Sequence, residues 1–377
     1  MKESQNKRKH AGLYILGSLY PYATGGMEIF NYYFLNYQLE ESKNIIYYLG
    51  DKPTESGNGS FLLLKKRWPV KLFYPFQFFF SVFKVRKQIR YAYLSYAEQS
   101  WIIVFTQSLT LRFFKVPYII TIHWGKEPDW KFRYPFISYF RHAVSVIGVS
   151  EPICIAFKET IPDQKFQFIP PLIPFKHSTQ TKSELKPRFG FHNNEKILLY
   201  VGSLKDMKNP DKIIESFRTI GAAYLEDQGI RLVVAGNGEM EVELRRKIEN
   251  YQLGRYIRIE GLVKRESIPD YYGAADAYII SSDYEGTSLS LLEAMYNRLA
   301  IIASDAPGIN SMLNHEQNAL LYQTKDSNSL AEAIKRIFAD HALAEKLAER
   351  AFKDFNAKYS YISMINEYQA VFSSVSF

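Results

Sequence analysis

The chain has 377 residues, a length typical of two domains that each bury their own core. Hydrophobic residues make up 47% of the sequence and aromatic residues 16%, which excludes an intrinsically disordered protein. The formal charge of +8 is unevenly spread, because residues 1–180 hold 23 Lys and Arg against 12 Asp and Glu, a net +11, whereas residues 181–377 hold 24 against 27, a net −3. The basic character therefore belongs to the first half.

The single cysteine, Cys154, excludes an internal disulfide and fits a reducing compartment. We expect no secretory signal, since the apolar run that follows the basic N-terminal residues is ended early by Gly17 and Pro21. The longest apolar run, residues 72–83, is shorter than the roughly 20 residues that span a bilayer. These features predict a cytoplasmic protein without a membrane-spanning segment.

Short apolar runs rich in β-branched residues predict five strands in the first half, at 12–16, 44–49, 101–105, 118–123 and 144–149. A Pro-rich segment at 169–174, followed by polar residues to Lys186, predicts the domain boundary.

Residues 65–116 carry ten Lys and Arg and one acid, Glu98, interleaved with aromatic residues. A solvated basic face over an aromatic core is one explanation, and nucleic-acid binding is another, although no motif of a known binding module is present. We favour docking on an anionic membrane surface. Its basis is that Lys65-Lys66-Arg67 and Lys84-Val85-Arg86-Lys87 bracket a block rich in Phe that suits the headgroup layer.

The second half alternates strands with amphipathic helices. Strands are predicted at 197–202, 230–236, 256–261, 277–281 and 299–303, and helices at 211–223, 239–251, 266–274, 330–338 and 343–356, before an aromatic tail at 359–372. This alternation predicts βαβ units and a parallel sheet, with ligands bound at the carboxyl edge of the strands.

The fourth of these strands leads into the sequence EGTSLSLLEA, which begins at Glu285. Thr287 or Ser288 can cap the helix that starts there, so its N–H groups point to the carboxyl edge and suit a phosphate. Glu285 and Glu293 lie eight residues apart, roughly 12 Å along a helix. This spacing suits carboxylates that accept hydrogen bonds from hydroxyls on either side of a diphosphate, as in a nucleotide sugar. The simpler alternative is one loop carboxylate and one solvated helix residue.

Glu285, Glu293, Ala294 and Met295 match a signature of the family 4 glycosyltransferases, in which two Glu separated by seven residues usually continue into Ala-Met. Further motifs follow in the family's order, so the chain resembles these retaining enzymes over essentially its whole length, most strongly from residue 197 to 322. The resemblance implies an α/β protein of the GT-B fold, with two Rossmann-like parallel-sheet domains facing across a cleft. It implies an acceptor-binding domain at 1–176, completed by a C-terminal helix at 359–377, and a nucleotide-sugar-binding domain at 187–358.

In the first domain, the family pattern puts Gly25 and Gly26 in the first loop, where paired glycines let backbone N–H groups approach the donor diphosphate and the acceptor. His123 occupies the position of a family His that lies against the donor sugar. A tight turn and a structural histidine are the simpler alternatives.

In the second domain, Lys208 matches the family's diphosphate clamp, a fixed cation for a leaving group that gains negative charge. Ser203 stands where the family usually has Arg, which leaves Lys205 or the Ser203 hydroxyl to contact the phosphates. The other donor-binding residues that the resemblance implies are Gly202, Gly236, Gly238, Leu262, Val263, Gly286, Thr287, Ser288 and Leu289. Base recognition in the family is largely by backbone, so the base stays open, with a UDP-sugar favoured over a GDP-sugar.

The implied activity is transfer of a hexosyl group, with retention, from a nucleotide-diphosphate donor to a hydroxyl of a glycan or lipid-linked acceptor in cell-surface polysaccharide assembly. His123, Lys208 and Glu285 are the implied catalytic residues, and the departing β-phosphate takes the acceptor's proton without a covalent enzyme intermediate. The sequence has no Asp-x-Asp triplet and no His/Cys cluster at metal-ligand spacing, so we expect neither a catalytic metal nor a cofactor.

Two alternatives stay open at this point. One is a nucleotide-sugar epimerase or a phosphorylase of the same fold, and the other is a catalytically silent sugar-nucleotide-binding protein at the membrane, which the loss of Arg at Ser203 favours. With residues 65–116, the resemblance predicts a peripheral protein on the inner face of the membrane. No nucleic-acid partner is expected, and the oligomeric state is left open.

Overall fold

The computed structural model describes residues 11–16, 30–31, 33–34, 45–48, 60–63, 70–96, 101–123, 134–171 and 173–375. The chain forms two compact domains, the first from Met1–Pro174 and Tyr361–Phe377, the second from Phe175–Ser360. The division falls at the end of the Pro-rich segment, and the C-terminal helix belongs to the first domain.

The first domain is built on a parallel sheet. Its described strands are β1 (Ala11–Leu16), β2 (Ile45–Tyr48), β3 (Ser60–Leu63), β4 (Ile89–Tyr96), β5 (Tyr118–Ile122), β6 (Ser145–Gly148) and β7 (Phe166–Phe168). They lie in the order β3-β2-β1-β4-β5-β6-β7, and all neighbours are parallel. All five residues of β5 are buried, as expected for a parallel strand covered on both faces, and its sequence YIITI is apolar except for Thr121.

Four helices connect the later strands of this sheet. They are α1 (Val70–Val85), α2 (Trp101–Phe113), α3 (Tyr134–Arg141) and α4 (Glu151–Thr160). Helix α4 begins at the N-cap Ser150, whose hydroxyl accepts a hydrogen bond from the N–H of Ile153 at 3.4 Å. Among the described helices, none combines the length and the apolar content that crossing a bilayer requires.

The strand predicted at 101–105 is wrong, because these residues open helix α2. The β-branched residues of the sequence IIV favour a strand locally, but the segment continues as a helix for 13 residues. Its burial follows the helical period, since Thr106, Thr110 and Leu111 are buried while Phe105 and Leu109 are exposed. The strand at this place in the sheet is β4, which the prediction omitted together with β3 and β7. Three-residue β7 is too short to give a periodic signal.

The second domain also has a parallel sheet. Its strands are β8 (Lys196–Val201), β9 (Ile230–Ala235), β10 (Ile257–Gly261), β11 (Ala277–Ile280), β12 (Ala300–Ser304) and β13 (Leu320–Tyr322). They lie in the order β10-β9-β8-β11-β12-β13, so the chain changes direction across the sheet between β8 and β11. The predicted strands of this half are confirmed as β8 to β12, and β13 was not predicted.

Helices cover this second sheet. They are α5 (Lys182–Arg188), α6 (Pro210–Ile220), α7 (Ala222–Asp227), α8 (Glu241–Asn250), α9 (Ile268–Ala274), α10 (Leu289–Tyr296), α11 (Ser327–Ala339) and α12 (His341–Lys358). Helix α6 shows why the predictions succeed here, since Ile213, Phe217 and Ile220 are buried at the spacing of one helix face. Single 3-10 turns at Asp206–Lys208 and Arg265–Ser267 precede α6 and α9.

Helix α13 (Tyr361–Ser374) follows α12 and packs in the first domain. The fully buried Tyr368 of α13 lies 5.2 Å from the ring of Phe34, and Phe34 stacks at 4.6 Å on Tyr93 of β4. The Tyr93 hydroxyl donates to Thr121 Oγ1 of β5 at 2.7 Å. The end of the chain thus completes an aromatic layer on the first sheet.

Candidate functional site

The carboxyl edge of the second sheet collects most of the residues that the sequence predicted. Because all its strands are parallel, the loops after β8, β9, β10, β11 and β12 meet at one edge. The reversal between β8 and β11 puts the loop with Lys208 beside the loop with Glu285. An edge at such a reversal is where open α/β sheets bind ligands.

Hydrogen bonds join the loop after β8 to the loop after β11. Asn209 has a left-handed backbone, with φ at 46°, and its Nδ2 donates to the carbonyl of Ser281 at 3.0 Å and to Asp283 Oδ1 at 2.6 Å. In return, the Ser281 hydroxyl donates to the carbonyl of Lys208 at 2.6 Å. The backbone of Lys208 is therefore fixed from both sides.

Lys208 and Glu285 form an ion pair in the described structure. Lys208 Nζ lies 2.6 Å from Glu285 Oε1, and the same oxygen accepts a hydrogen bond of 2.6 Å from Ser282 Oγ. The Glu285 side chain is 11% exposed and that of Lys208 22% exposed. The lysine thus neutralises a carboxylate that would otherwise repel a phosphate at this edge.

Helix α10 begins directly after this pair. Ser288 is its N-cap, and the Ser288 hydroxyl accepts from the N–H of Leu291 at 3.3 Å, so Ser288 rather than Thr287 is the cap that the sequence predicted. The hydroxyl of Tyr278 donates to Ser290 Oγ at 2.8 Å, which holds the first turn against β11. Gly286, Thr287, Ser288 and Leu289 therefore lie at the amino end of a fixed helix whose dipole favours an anion.

Glu293 lies inside α10, is only 5% exposed, and forms an ion pair with Arg265. Its burial rules out the solvated helix residue that was the simpler alternative. Burial raises the pKa of the Glu293 carboxyl, while the charge of Arg265 and hydrogen bonds from Arg265 and Tyr272 oppose that rise. Arg265 was not predicted from the sequence, because a lone Arg 28 positions before its partner carries no pattern.

Close backbone contacts explain the predicted glycines of this edge. A Cβ on Gly236 would lie 1.8 Å from the carbonyl oxygen of Gly202, and one on Gly238 would lie 2.4 Å from that of Leu204. Gly308, which was not predicted, would place a Cβ 1.8 Å from the carbonyl oxygen of Glu285 and has φ at +85°. These glycines let neighbouring edge loops touch.

The remaining second-domain residues lie on the same loops. Ser203 is half-buried, and its carbonyl accepts from the Tyr200 hydroxyl at 3.1 Å. Lys205 is exposed to solvent at the mouth of this loop. Leu262 is 63% exposed while Val263 beside it is half-buried, so the loop after β10 presents an apolar side chain at the edge.

In the first domain, His123 follows β5 at the carboxyl end of that sheet. It is partly buried, its ring lies 4.8 Å from that of Phe30, and its Nε2 is buried without a hydrogen-bond partner among the described residues. This burial lowers the pKa of His123 to about 3, so the imidazole is neutral at physiological pH. Gly25 and Gly26, predicted in the first loop, lie outside the described residues.

Three comparisons with known proteins bear on this geometry. The Glycosyl transferases group 1 family matches residues 181–354, the segment that holds the whole second-domain site. An uncharacterized glycosyltransferase of Methanocaldococcus jannaschii is 29% identical over 192 residues, 50% of this chain and 48% of that protein. A UDP-Gal:alpha-D-GlcNAc-diphosphoundecaprenol alpha-1,3-galactosyltransferase of Escherichia coli is 29% identical over 165 residues, 43% of this chain and 42% of that protein.

Solved structures extend the similarity to both domains. The crystal structure of Anabaena HepE in complex with UDP-glucose matches 97% of this chain and 99% of its own, with a TM-score of 0.77 and 16% sequence identity. By contrast, the chain spans about half the length of the curated relatives that it matches. Residues 181–354 match the glycosyl transferases group 1 family, and the two Rossmann-like domains of the chain have the GT-B fold.

Proposed function

We propose that this protein is a retaining, metal-independent glycosyltransferase. It would move a hexosyl group from a nucleotide-diphosphate donor to a hydroxyl of a glycan or lipid-linked acceptor. The observation that carries the proposal is the pairing of each motif glutamate with a cation at the carboxyl edge, Lys208 with Glu285 and Arg265 with Glu293. Two buried carboxylates, each neutralised by its own cation, frame a helix terminus that suits a phosphate.

The roles of the groups follow from their chemistry. Lys208 Nζ and the amino end of α10 would stabilise the diphosphate as its charge grows during departure of the sugar. As Lys208 turns to the phosphate, the Glu285 carboxylate becomes free to accept hydrogen bonds from donor-sugar hydroxyls. Glu293 would accept from the ribose hydroxyls, and the exposed Leu262 would cover one face of the base.

The chemical step needs no nucleophile from the described residues of this edge. The acceptor hydroxyl attacks the anomeric carbon as the bond to the β-phosphate breaks, and the departing phosphate oxygen takes the hydroxyl proton on the same face. Lys208 supplies the cation that a metal ion supplies elsewhere, and among the described residues no three His, Cys, Asp or Glu side chains group as metal ligands. The role of His123 against the donor sugar remains a prediction from the resemblance.

Relatives support the choice of donor and acceptor classes. The Escherichia coli relative is named for a UDP-linked donor and a diphosphoundecaprenol acceptor, and the Anabaena structure contains UDP-glucose. A UDP-sugar and a lipid-linked or glycan acceptor in cell-surface polysaccharide assembly are therefore the substrates that we propose.

Purified protein with a panel of nucleotide sugars and lipid-linked glycan acceptors tests this function. We expect a free nucleoside diphosphate and a glycosylated acceptor to appear in equal amounts, with a retained anomeric configuration and no loss of activity in EDTA. An epimerase would change the donor without an acceptor, and a phosphorylase would need inorganic phosphate. Donor binding without turnover would indicate a catalytically silent sugar-nucleotide-binding protein.

We further propose that the first domain docks on an anionic membrane surface. Helices α1 and α2 share an aromatic face, on which large apolar side chains are 44–67% exposed; its members are Phe76, Phe80, Phe83, Phe105, Leu109 and Phe113. Lys84, Lys87 and Lys115 are exposed around it, and Arg86 lies over the ring of Phe83 at 3.7 Å. Exposed rings rimmed by cations suit the headgroup layer of acidic lipids. Lys65, Lys66 and Arg67, the other half of the predicted basic bracket, lie outside the described residues.

Sedimentation with vesicles tests this surface. The wild type should sediment with phosphatidylserine-containing vesicles at low salt and much less with pure phosphatidylcholine, and Phe80→Ser/Phe113→Ser should remain in solution. Val242→Ser is the matched control, because Val242 is 81% exposed in the second domain. Equal sedimentation of the double variant and the wild type would contradict the aromatic face as the docking surface, and a wild type that stayed in solution would contradict docking altogether.

A further inference from the structure

Arg265 connects two parts of the candidate donor site. It opens the 3-10 turn Arg265–Ser267, directly after the loop that carries Leu262 and Val263, and its guanidinium pairs with Glu293 inside α10. The side chain of Arg265 is 19% exposed and that of Glu293 is 7% exposed. The pair therefore lies mostly away from water, where a charge interaction is weakly screened.

Other elements around Glu293 offer hydroxyls rather than charge. The hydroxyl of Tyr272 of α9 lies within hydrogen-bonding distance of Glu293 and of the Ser290 carbonyl, the latter at 2.8 Å, and its one proton serves one of these acceptors at a time. Tyr278 of β11 lies close enough to interact with the carboxylate. Helix α12 packs on α10, and its buried residues are apolar: Leu347, Ala348, Ala351 and Phe355. In the described part of the chain, Arg265 is thus the cation that acts on Glu293.

A buried carboxylate without a cation tends to take up a proton. A protonated Glu293 would lose one of its two acceptor oxygens, and a ribose offers two adjacent hydroxyl donors. Keeping both oxygens as acceptors therefore requires a permanent positive charge, which an arginine provides because its guanidinium stays protonated at any physiological pH.

We propose that Arg265 is a positioning residue for the nucleotide, which keeps the Glu293 carboxylate ionised for the ribose hydroxyls and ties the loop after β10 to helix α10. The loop that contacts the base and the carboxylate that contacts the ribose are then joined through Arg265. A displacement of the loop after β10 would therefore also displace the Glu293 carboxylate. This inference rests on the proposed function, since it assigns Arg265 to the donor site of the transferase.

The consequence is a specific link between pH and sugar recognition. Without the arginine, burial would raise the pKa of the Glu293 carboxyl further, so that a larger fraction would be protonated and a higher pH would be needed to ionise it. Loss of Arg265 should therefore weaken binding of a ribonucleotide at neutral pH, spare a 2′-deoxyribonucleotide, and be partly reversed at alkaline pH.

Isothermal titration of UDP and 2′-deoxy-UDP at about pH 7.5 and about pH 9, both above the phosphate ionisation near pH 6, tests this link. The variants are Arg265→Gln, Arg265→Lys, Glu293→Gln and the double variant Arg265→Gln/Glu293→Gln. Arg255→Gln is the matched control, because Arg255 forms a solvent-exposed pair with Glu226 of α7 in the same domain. If UDP does not bind the wild type, GDP or ADP and its 2′-deoxy form are used.

We expect Arg265→Gln to weaken UDP binding about 10-fold at neutral pH and to regain most of that loss at alkaline pH, with Arg265→Lys close to wild type. Glu293→Gln should be equally weak at both pH values, and the double variant should match it. A loss in Arg265→Gln that is the same at both pH values, or that adds to the Glu293→Gln loss, would overturn the inference and leave the proposed function intact. A wild type that binds no nucleoside diphosphate would instead contradict the proposed function.

Discussion

At the residue scale, the site is defined by how two buried carboxylates keep their charge. Glu285 has Lys208 and Ser282 as partners, and Glu293 has Arg265 and Tyr272. A carboxylate beside an anion-binding site repels the anion unless a cation neutralises it, and each of these two glutamates has such a cation. The glutamates and Lys208 could be predicted because the family motif fixes their spacing. Arg265 could not, since its role arises only when the turn after β10 meets α10 in three dimensions.

Replacing Glu285 by Gln should lower kcat about 100-fold while nucleoside diphosphate affinity stays within about threefold of wild type. The amide keeps the size of the side chain but loses the charge that holds the donor sugar, and Lys208 stays available for the phosphate. Steady-state kinetics with titration of the nucleotide check this. Glu316→Gln, at an exposed pair with Arg336, is the control and should match wild type. A fall in affinity as large as the fall in kcat would count against the role of Glu285.

His123 gives a prediction for pH and stability. Its pKa is about 3 in the folded protein and about 6.5 in an unfolded chain, so the unfolded state binds more protons between these values. The stability of the first domain should therefore fall as the pH drops from about 6.5 towards 3, and more steeply than in His123→Gln.

Tryptophan fluorescence during urea unfolding can follow this domain alone, because all four tryptophans of the chain, at positions 68, 101, 124 and 130, lie in its sequence. The difference in unfolding free energy between wild type and His123→Gln is the quantity to compare across pH. Parallel pH profiles of the two proteins would show that the buried imidazole does not control the acid sensitivity.

At the element scale, the edge loops are held together by backbone approach. Gly202 meets Gly236, Leu204 meets Gly238 and Glu285 meets Gly308, each too closely for a Cβ. Strands β8 to β12 were predicted well because their runs contain β-branched residues and are flanked by helices, whereas β13 has the sequence LLY and no β-branched residue. The first domain was predicted less well. Strand β4 alternates aromatic and small residues, and α2 begins with β-branched residues that favour a strand. In both segments the local sequence preference disagrees with the structure that tertiary packing stabilises.

Gly308→Ala should lower stability and activity together. The substitution forces a residue with a side chain to φ near +85° and drives its Cβ onto the carbonyl of Glu285, at a cost of about 2–4 kcal/mol. Gly221→Ala is a matched control, because Gly221 has φ of +86° and nothing within 4 Å of the added Cβ. Circular dichroism during urea unfolding and transferase rates should separate the two variants. Similar losses in both would mean that the approach of Gly308 to Glu285 is unimportant.

At the scale of the whole molecule, the two domains divide the chemistry. The basic charge and the aromatic face belong to the first, and the paired glutamates and the helix terminus to the second. Composition alone predicted this asymmetry, because the net charge changes sign near residue 180. It could not predict that the C-terminal helix α13 completes the first domain, which the family resemblance implied, or that Tyr368 makes the contact with Phe34.

The carboxyl edge of the second domain should bind a nucleoside diphosphate through Lys208. Isothermal titration of UDP, GDP and ADP against wild type and Lys208→Gln tests this binding, with Lys353→Gln, at an exposed pair with Glu349 on α12, as control. We predict that wild type and control bind one of these diphosphates and that Lys208→Gln binds it about 100-fold more weakly, because the cation is lost and the Glu285 charge is uncovered. Wild-type affinity in Lys208→Gln would contradict the role of Lys208. A wild type that binds none of the three diphosphates would contradict a nucleotide site at this edge.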